Sequence, residues 1–316
     1  HIREAGSTAV QEIAFTIANA LEYVQSAINS GQDIDDFAPR LSFFFNCHND
    51  FFEEVSKFRA ARKLWYDLIT ERYSPKNERS AKLRFHTQVA GVSLTAQQPI
   101  NNVSRVTIQA LAAVCGGTQS LHTNSYDEAL GLPTEESATV ALRTQQIIAE
   151  ESGVADVVDP LGGSYFVEEM TQKIYDESLN QILKIEKLGG ALSAIESGYQ
   201  QKEIHEAAWL HLGQVETGSR KIIGVNYATL EEEKMPPVLK PDPQIGISQA
   251  KNLHLLRTNR DSESALLSLN NVREACISGD NLFPKVIECL RNDCTLGEII
   301  GVMKEEFGTY MAPSGF

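Results

Sequence analysis

The chain has 316 residues, 42% of them hydrophobic and 22% charged, with a formal net charge of −14. That length and apolar content suffice for a full globular core. The acidic balance opposes non-specific binding to nucleic acid or to an anionic membrane, since neither polyanion would gain from counterion release.

No apolar run reaches the roughly 18–20 residues of a membrane span, and the opening stretch HIREAGSTAV lacks the apolar block of a secretory signal, so the sequence reads as cytoplasmic. The cysteines at 47, 115, 276, 289 and 294 are odd in number and form no CxxC pair, which argues for buried thiols and against a disulfide framework or a thiolate metal site. His1 stands just before a helix start in which Thr8 and Gln11 are spaced as a capping box, so the chain reads as cut from something longer.

From Val10 the residues Ile13, Ile17, Leu21, Val24 and Ile28 recur at three and four, the pattern of an amphipathic helix that Gly31 can close. RLSFFFN, 40–46, suits a buried strand. Asn49 or Asp50 can cap the next helix, which keeps its period through Phe52, Val55, Phe58, Trp65 and Leu68 to about Tyr73. AKLRFHTQ, 81–88, reads as a second strand, Asn101 and Asn102 precede a helix ended by Gly116 and Gly117, and TQSLH offers a third strand before a helix from about Thr134 to Ser152. Helical text follows at 167–188, 191–197 and 201–216, then a strand-like KIIGVN, a proline-rich linker near 231–246, and a helical end with Thr295 and Glu298 as a second capping box.

Strands alternating with helices imply a parallel sheet with right-handed crossovers. With His1 counted as the tail of a further strand, four strand ends and four following helices make half of an eight-stranded (β/α)8 TIM barrel. The expected organisation is residues 1–165 as the C-terminal half of a barrel and 166–316 as a helical extension. Barrel chemistry sits at the C-terminal strand ends, which here hold His1, Asn46, His86 with Gln88, and His122. With seven histidines in the chain, three at such ends point to a site. Its other members, Gln88, Gln119 and Asn124, are neutral hydrogen-bonding groups, unsuited to a catalytic metal. The adjacent Cys47 and His48 do not align a thiol with a base, and Ser120 lacks an elbow motif. The remaining choice lies between a site that orients a large polar ligand and, for the crowded segment 116–134, an ordinary connection satisfied by its own backbone, with Asp127 as a capping residue.

RLSFFF, LRFHTQ, SLTAQQP, GGTQSLHTNSYDEALGLPT, RTQQIIAEESGV, DPLGGSYFVE and IIGVN follow one another as in the cobalamin-dependent acyl-CoA mutases, and over essentially its whole length the chain resembles the large subunit of the methylmalonyl-CoA mutase family, above all forms with a separate cobalamin-binding subunit. The resemblance implies an isomerase with a barrel threaded by the substrate's pantetheine arm, adenosylcobalamin over the C-terminal mouth, and a radical 1,2-rearrangement such as (R)-methylmalonyl-CoA to succinyl-CoA. By resemblance His1 is the catalytic histidine that meets the thioester carbonyl. Arg40 and Ser42 meet the CoA end, His86 and Gln88 line the reaction cavity, and Gln119, His122, Glu128 and Ala129 belong to the cofactor face.

The implied partners are the acyl-CoA substrate, the other barrel half, a cobalamin-binding small subunit and a G-protein chaperone. Two features depart from the family pattern. No histidine has Asp two positions before it, so the D-x-H-x-x-G motif that supplies the axial ligand is not found and the cobalt ligand is expected from another chain or domain. Val92 stands where methylmalonyl-type enzymes often place Trp, which keeps isobutyryl-CoA and 2-hydroxyisobutyryl-CoA mutases in view, beside a non-catalytic assembly module for residues 166–316.

Overall fold

The computed structural model describes residues 1–231 and 236–310. The Thr8 hydroxyl accepts from the Gln11 N–H at 3.1 Å, and the Gln11 side chain accepts from the Thr8 N–H at 2.9 Å. This reciprocal cap starts α1 (Ala9–Asn29), whose buried stripe is Ile13, Ile17, Leu21 and Val24. After the short α2 (Ile34–Phe37) and a 3-10 turn at Ala38–Arg40 come β1 (Phe43–Cys47) and α3 (Phe51–Tyr73), the latter capped by Asp50. A 3-10 turn at Glu78–Ala81 leads into β2 (Phe85–Val89), α4 (Asn102–Cys115), β3 (Ser120–His122) and α5 (Glu135–Glu150), capped by Thr134. Then follow α6 (Tyr165–Lys187), α7 (Ala191–Glu196) and α8 (Tyr199–Glu216).

The protein is α/β and mainly helical, with one parallel sheet in the order β1-β2-β3. Phe43, Phe45, Phe85 and Val89 turn one face of that sheet into the core, where they meet Phe58, Leu64 and Trp65 of α3 and Ala110 and Ala113 of α4. Phe45, Phe58 and Phe85 stack or meet edge to face at 5.0–6.3 Å between ring centroids.

Several expectations need correction. The strands start later than 40, 81 and 118, because 3-10 turns at Ala38–Arg40, which holds Pro39, and at Glu78–Ala81 take up the approaches. His1 is followed by a turn in which the Ala5 N–H donates to the His1 carbonyl at 3.0 Å. Among the described residues KIIGVN contributes only an isolated bridge between Ile223 and Tyr227. Asn102 lies inside α4, where its buried amide donates to the carbonyls of Thr95 and Tyr126 at 2.9 Å instead of capping the helix.

The chain divides into two compact units, His1–Leu239 and the part from Lys240 onward. Within the first unit α6 packs on α1 and α3 and buries Val167, Ile174, Ile182 and Ile185. The second unit comprises α9 (Pro243–Asn259), α10 (Ser262–Ser278), α11 (Leu282–Arg291) and α12 (Leu296–Phe307), with Val272, Cys289 and Ile299 in its core. Pro243 occupies the first turn of α9, so the expected linker ends earlier than 246, and its residues 232–235 lie outside the described ones. All five cysteines are free thiols. No helix among the described residues is long and apolar enough to cross a membrane.

Candidate functional site

In a strand, alternate residues share a face. The register pairs Phe44 with His86 with Ser120, and Asn46 with Gln88 with His122, so both rows lie on the face turned away from the α3 and α4 core. That face carries one aliphatic-free set of polar groups around the Phe44 ring. His86 Nδ1 lies 2.7 Å from Ser120 Oγ, and the His86 ring lies 5.0 Å from Phe44, whose other neighbour is the His1 ring at 6.4 Å. The Gln88 amide donates to Asn124 Oδ1 at 3.0 Å. His86 was expected at a strand end, yet β2 runs on to Val89, and His86 is its second residue.

The N-terminal end of this face opens into a cavity of about 490 Å³ whose walls include Arg40, Ser42, Arg84, His86, Gln119 and Ser120. Arg84 braces its rim: Nη2 donates to the carbonyls of Pro39 and of Leu41, the latter at 2.9 Å, on either side of Arg40. Gln119 sits here and not with the other expected cofactor residues. Its Oε1 accepts from the Phe85 N–H at 2.7 Å and its amide donates to the Gly117 carbonyl, extending the β2–β3 pairing by a side chain.

At the C-terminal end stand His122, Glu128 and Ala129, all exposed. Burial pushes the Glu128 carboxyl up, against the pull of His122. Partial burial, with His122 close by, lowers the His86 imidazole from its ordinary value. The crowded stretch before Glu128 is largely satisfied from within. Thr123 donates to the Ala141 carbonyl, Asn124 to the Val89 carbonyl, and Asp127 Oδ2 accepts from the N–H of Thr134, the α5 cap residue. One buried atom, Asp127 Oδ1, has no protein partner. From Thr123 to Asp127 the segment is therefore chiefly satisfied from within, while Ser120, His122 and Glu128 on either side are exposed.

A buried charge chain beneath the β1 end escaped the sequence reading. Lys57 Nζ is fully buried and donates to Glu12 Oε2 and to the Asn46 carbonyl at 2.6 Å each, and to Glu54. Glu12 Oε1 accepts from the Asn46 N–H at 2.7 Å. Arg3 reaches Glu53 at 3.1 Å and Glu54 at 3.5 Å. Although burial opposes charge on both, the facing carboxylates hold the Lys57 ammonium above its usual range, and Lys57 and Arg3 hold Glu54 below its own. A signal existed: Glu54 and Lys57 fall on the same three-and-four stripe as Ala61, Leu64 and Leu68, a stripe otherwise apolar.

Neutral donors and acceptors line an open sheet face that ends in an arginine-rimmed cavity. The family model for methylmalonyl-CoA mutase matches residues 1–309, and the chain belongs to that family. It is 47% identical over 313 residues to a probable mitochondrial methylmalonyl-CoA mutase of Caenorhabditis elegans, covering 99% of this chain and 42% of that protein. Identity is 45% over 313 residues to the 2-hydroxyisobutanoyl-CoA mutase large subunit of Aquincola tertiaricarbonis, covering 98% of this chain and 56% of the relative, and 43% over 315 residues to methylmalonyl-CoA mutase of Escherichia coli, covering 99% and 44%. The chain thus spans about half the length of these curated relatives or less.

Proposed function

We propose that this chain is the C-terminal barrel half and helical extension of the catalytic subunit of an adenosylcobalamin-dependent acyl-CoA mutase that interconverts (R)-methylmalonyl-CoA and succinyl-CoA. The observation that carries the reading is the continuous polar face from the Arg40 and Ser42 cavity, past His86 and Gln88, to His122. A strand rises about 3.3 Å per residue, so the four steps from Ser42 to Asn46 span about 13 Å, enough to separate an anion-binding end from a reacting end. Arg40 takes the nucleotide end of the CoA ester, His86 and Gln88 line the acyl arm, and His1 donates to the thioester carbonyl as charge develops there.

The residues at the C-terminal end fit a broad, largely neutral cofactor. Gly91, Val92 and Ala129 are small or exposed, and His122 and Glu128 stand beside them with polar groups for its rim. The cofactor supplies radical initiation, and the chain's own part is to hold substrate and keep water away. Among the described residues no three His, Cys, Asp or Glu side chains come together to hold a metal. In this reading a cobalamin-binding domain or subunit would supply the protein ligand to the cobalt, and the remaining strands of the barrel would come from sequence outside this chain.

A second reading, a 2-hydroxyisobutyryl-CoA or isobutyryl-CoA mutase, is favoured by Val92 in place of a tryptophan and by the 45% identity to the Aquincola tertiaricarbonis large subunit. Turnover of the three acyl-CoA esters by the complete enzyme separates the readings. His1→Ala there should lower turnover about a hundredfold, roughly 2.7 kcal/mol, the scale of one lost oxyanion donor. Arg40→Ala should raise KM with kcat largely kept, as for binding shared by ground and transition states. Wild-type turnover in His1→Ala would sink the assignment.

A further inference from the structure

His1 sits on a seven-residue turn outside any strand or helix, closed by the Ala5 N–H on the His1 carbonyl and the Gly6 N–H on the Arg3 carbonyl, both at 3.0 Å. A turn of this kind has little rigidity of its own. Its anchors are charged. Arg3, only 11% exposed at its side chain, donates through Nη1 to the Ser7 carbonyl and through Nη2 to Glu53 and Glu54. Glu54 continues into Lys57, Lys57 into Glu12, and Glu12 with Lys57 grips both the N–H and the carbonyl of Asn46. Asn46 returns to the turn by donating to Glu4 Oε1 at 2.7 Å. The path is a closed loop from the turn, through α3 and α1, to the end of β1 and back.

Four buried charges are a poor way to stabilise a core: packed hydrophobic residues of the same volume do as well or better, because each ion must be desolvated. What a connected ionic chain supplies is a fixed geometry, since each paired group must meet its partner and the low dielectric leaves the attraction unscreened, although Arg3 Nε and Asn46 Oδ1 are buried without a protein partner. We infer that Arg3 is the positioning residue for the His1 imidazole, holding it over the Phe44 end of the polar face through the Glu54–Lys57–Glu12 chain. The inference rests on the proposed role of His1. A misplacement of about 1 Å at a reacting group can cost on the order of a hundredfold in rate while leaving distant binding contacts intact.

The test is Arg3→Gln in the complete enzyme, with two readouts. Turnover per folded active site should fall at least about tenfold while KM for the acyl-CoA stays within about twofold. In the enzyme without coenzyme, labelled with ring-15N histidine and with the His1 resonance assigned by its loss in His1→Ala, the single wild-type signal should broaden or split in Arg3→Gln. If Arg3→Gln does not fold, Glu53→Gln takes its place. Glu53 is 38% exposed and removes only one of the Arg3 contacts, so a fall in kcat of about threefold with KM unmoved is expected. A variant with a lower melting temperature but wild-type turnover per folded site and an unchanged His1 signal would overturn the inference, as would a parallel rise in KM. Failure of the mutase reading itself shows differently: the wild-type enzyme then lacks turnover, and the resonance alone decides whether Arg3 orders His1.

Discussion

Lys57→Met removes a buried ammonium and keeps nearly the same volume. Glu12 Oε2 and Glu54 Oε2 then lose their cation, and the Asn46 carbonyl loses a donor at 2.6 Å. Glu12 retains the Asn46 N–H at 2.7 Å, and Glu54 retains a long contact to Arg3 at 3.5 Å, too little to offset desolvation of either carboxylate. Breaking a buried pair from one side costs about 3–5 kcal/mol, a large share of the roughly 5–15 kcal/mol that holds a typical domain. Urea unfolding at pH 8 should show the midpoint falling with an unchanged slope.

The pH dependence gives a second handle on the same variant. In Lys57→Met the fully buried Glu54 carboxyl loses its ammonium, and burial should then hold its folded pKa above the unfolded one, near 4.3 for Glu. Such groups cost stability above the folded pKa, and the cost fades as pH falls toward the unfolded value. The deficit should therefore be greatest at pH 8 and shrink towards pH 5. In the wild type the Lys57 pKa is raised, so its contribution is present throughout that window and is lost only above the ordinary lysine range. A deficit under about 1 kcal/mol, or one that grows on acidification, would refute the reasoning.

Glu298→Gln probes the second compact unit. Arg260 grips Glu298 through two nitrogens at 2.7 and 2.8 Å, the Thr295 N–H adds a third bond, and together they depress the carboxyl to about 2. A depressed acid stabilises above its unfolded pKa and loses that contribution as pH falls through about 2. The variant should lose about 1–2 kcal/mol at pH 7, discounted for partial solvation, and the gap from wild type in thermal melts should close as the pH drops from about 4.5 to 2. Gly6→Ala probes the His1 turn. Its φ is +103°, and an added Cβ would lie 2.6 Å from Ala208 Cβ in α8, so a loss of about 2–3 kcal/mol by urea unfolding is expected. Adding Ala208→Gly should recover only part, because it relieves the clash and leaves the backbone strain; full recovery would count against the strain.

The sequence located the longer helices of the first unit to within a few residues and read the end of the chain only as helical, and both capping boxes stand where Thr8 with Gln11 and Thr295 with Glu298 promised them. Such caps are local: three residues settle them. The strand starts were misplaced because a short apolar run such as RLSFFFN does not reveal where a 3-10 turn hands over to a ladder. The residue-type alternation in LRFHTQ was legible, and with it the separation of His86 and Gln88 from Phe85 and Thr87.

Family membership was legible for a different reason: long motifs such as GGTQSLHTNSYDEALGLPT are specific as strings whatever their geometry. Which polar groups share a face, however, depends on register across three strands far apart in sequence, and only the paired sheet sets His86 against Ser120 and Gln88 beside Asn124. The same holds for Gln119, given to the cofactor face by resemblance: its bond to the Phe85 N–H and its place in the wall of the Arg40 cavity depend on the pairing of β2 with β3. Local composition determined helices, caps, strand faces and family. The buried chain from Arg3 to Glu12 was decided by tertiary structure, because an ion pair is a fact about distance, and residues 3, 12, 46, 54 and 57 acquire theirs only when α1, α3 and β1 close on one another.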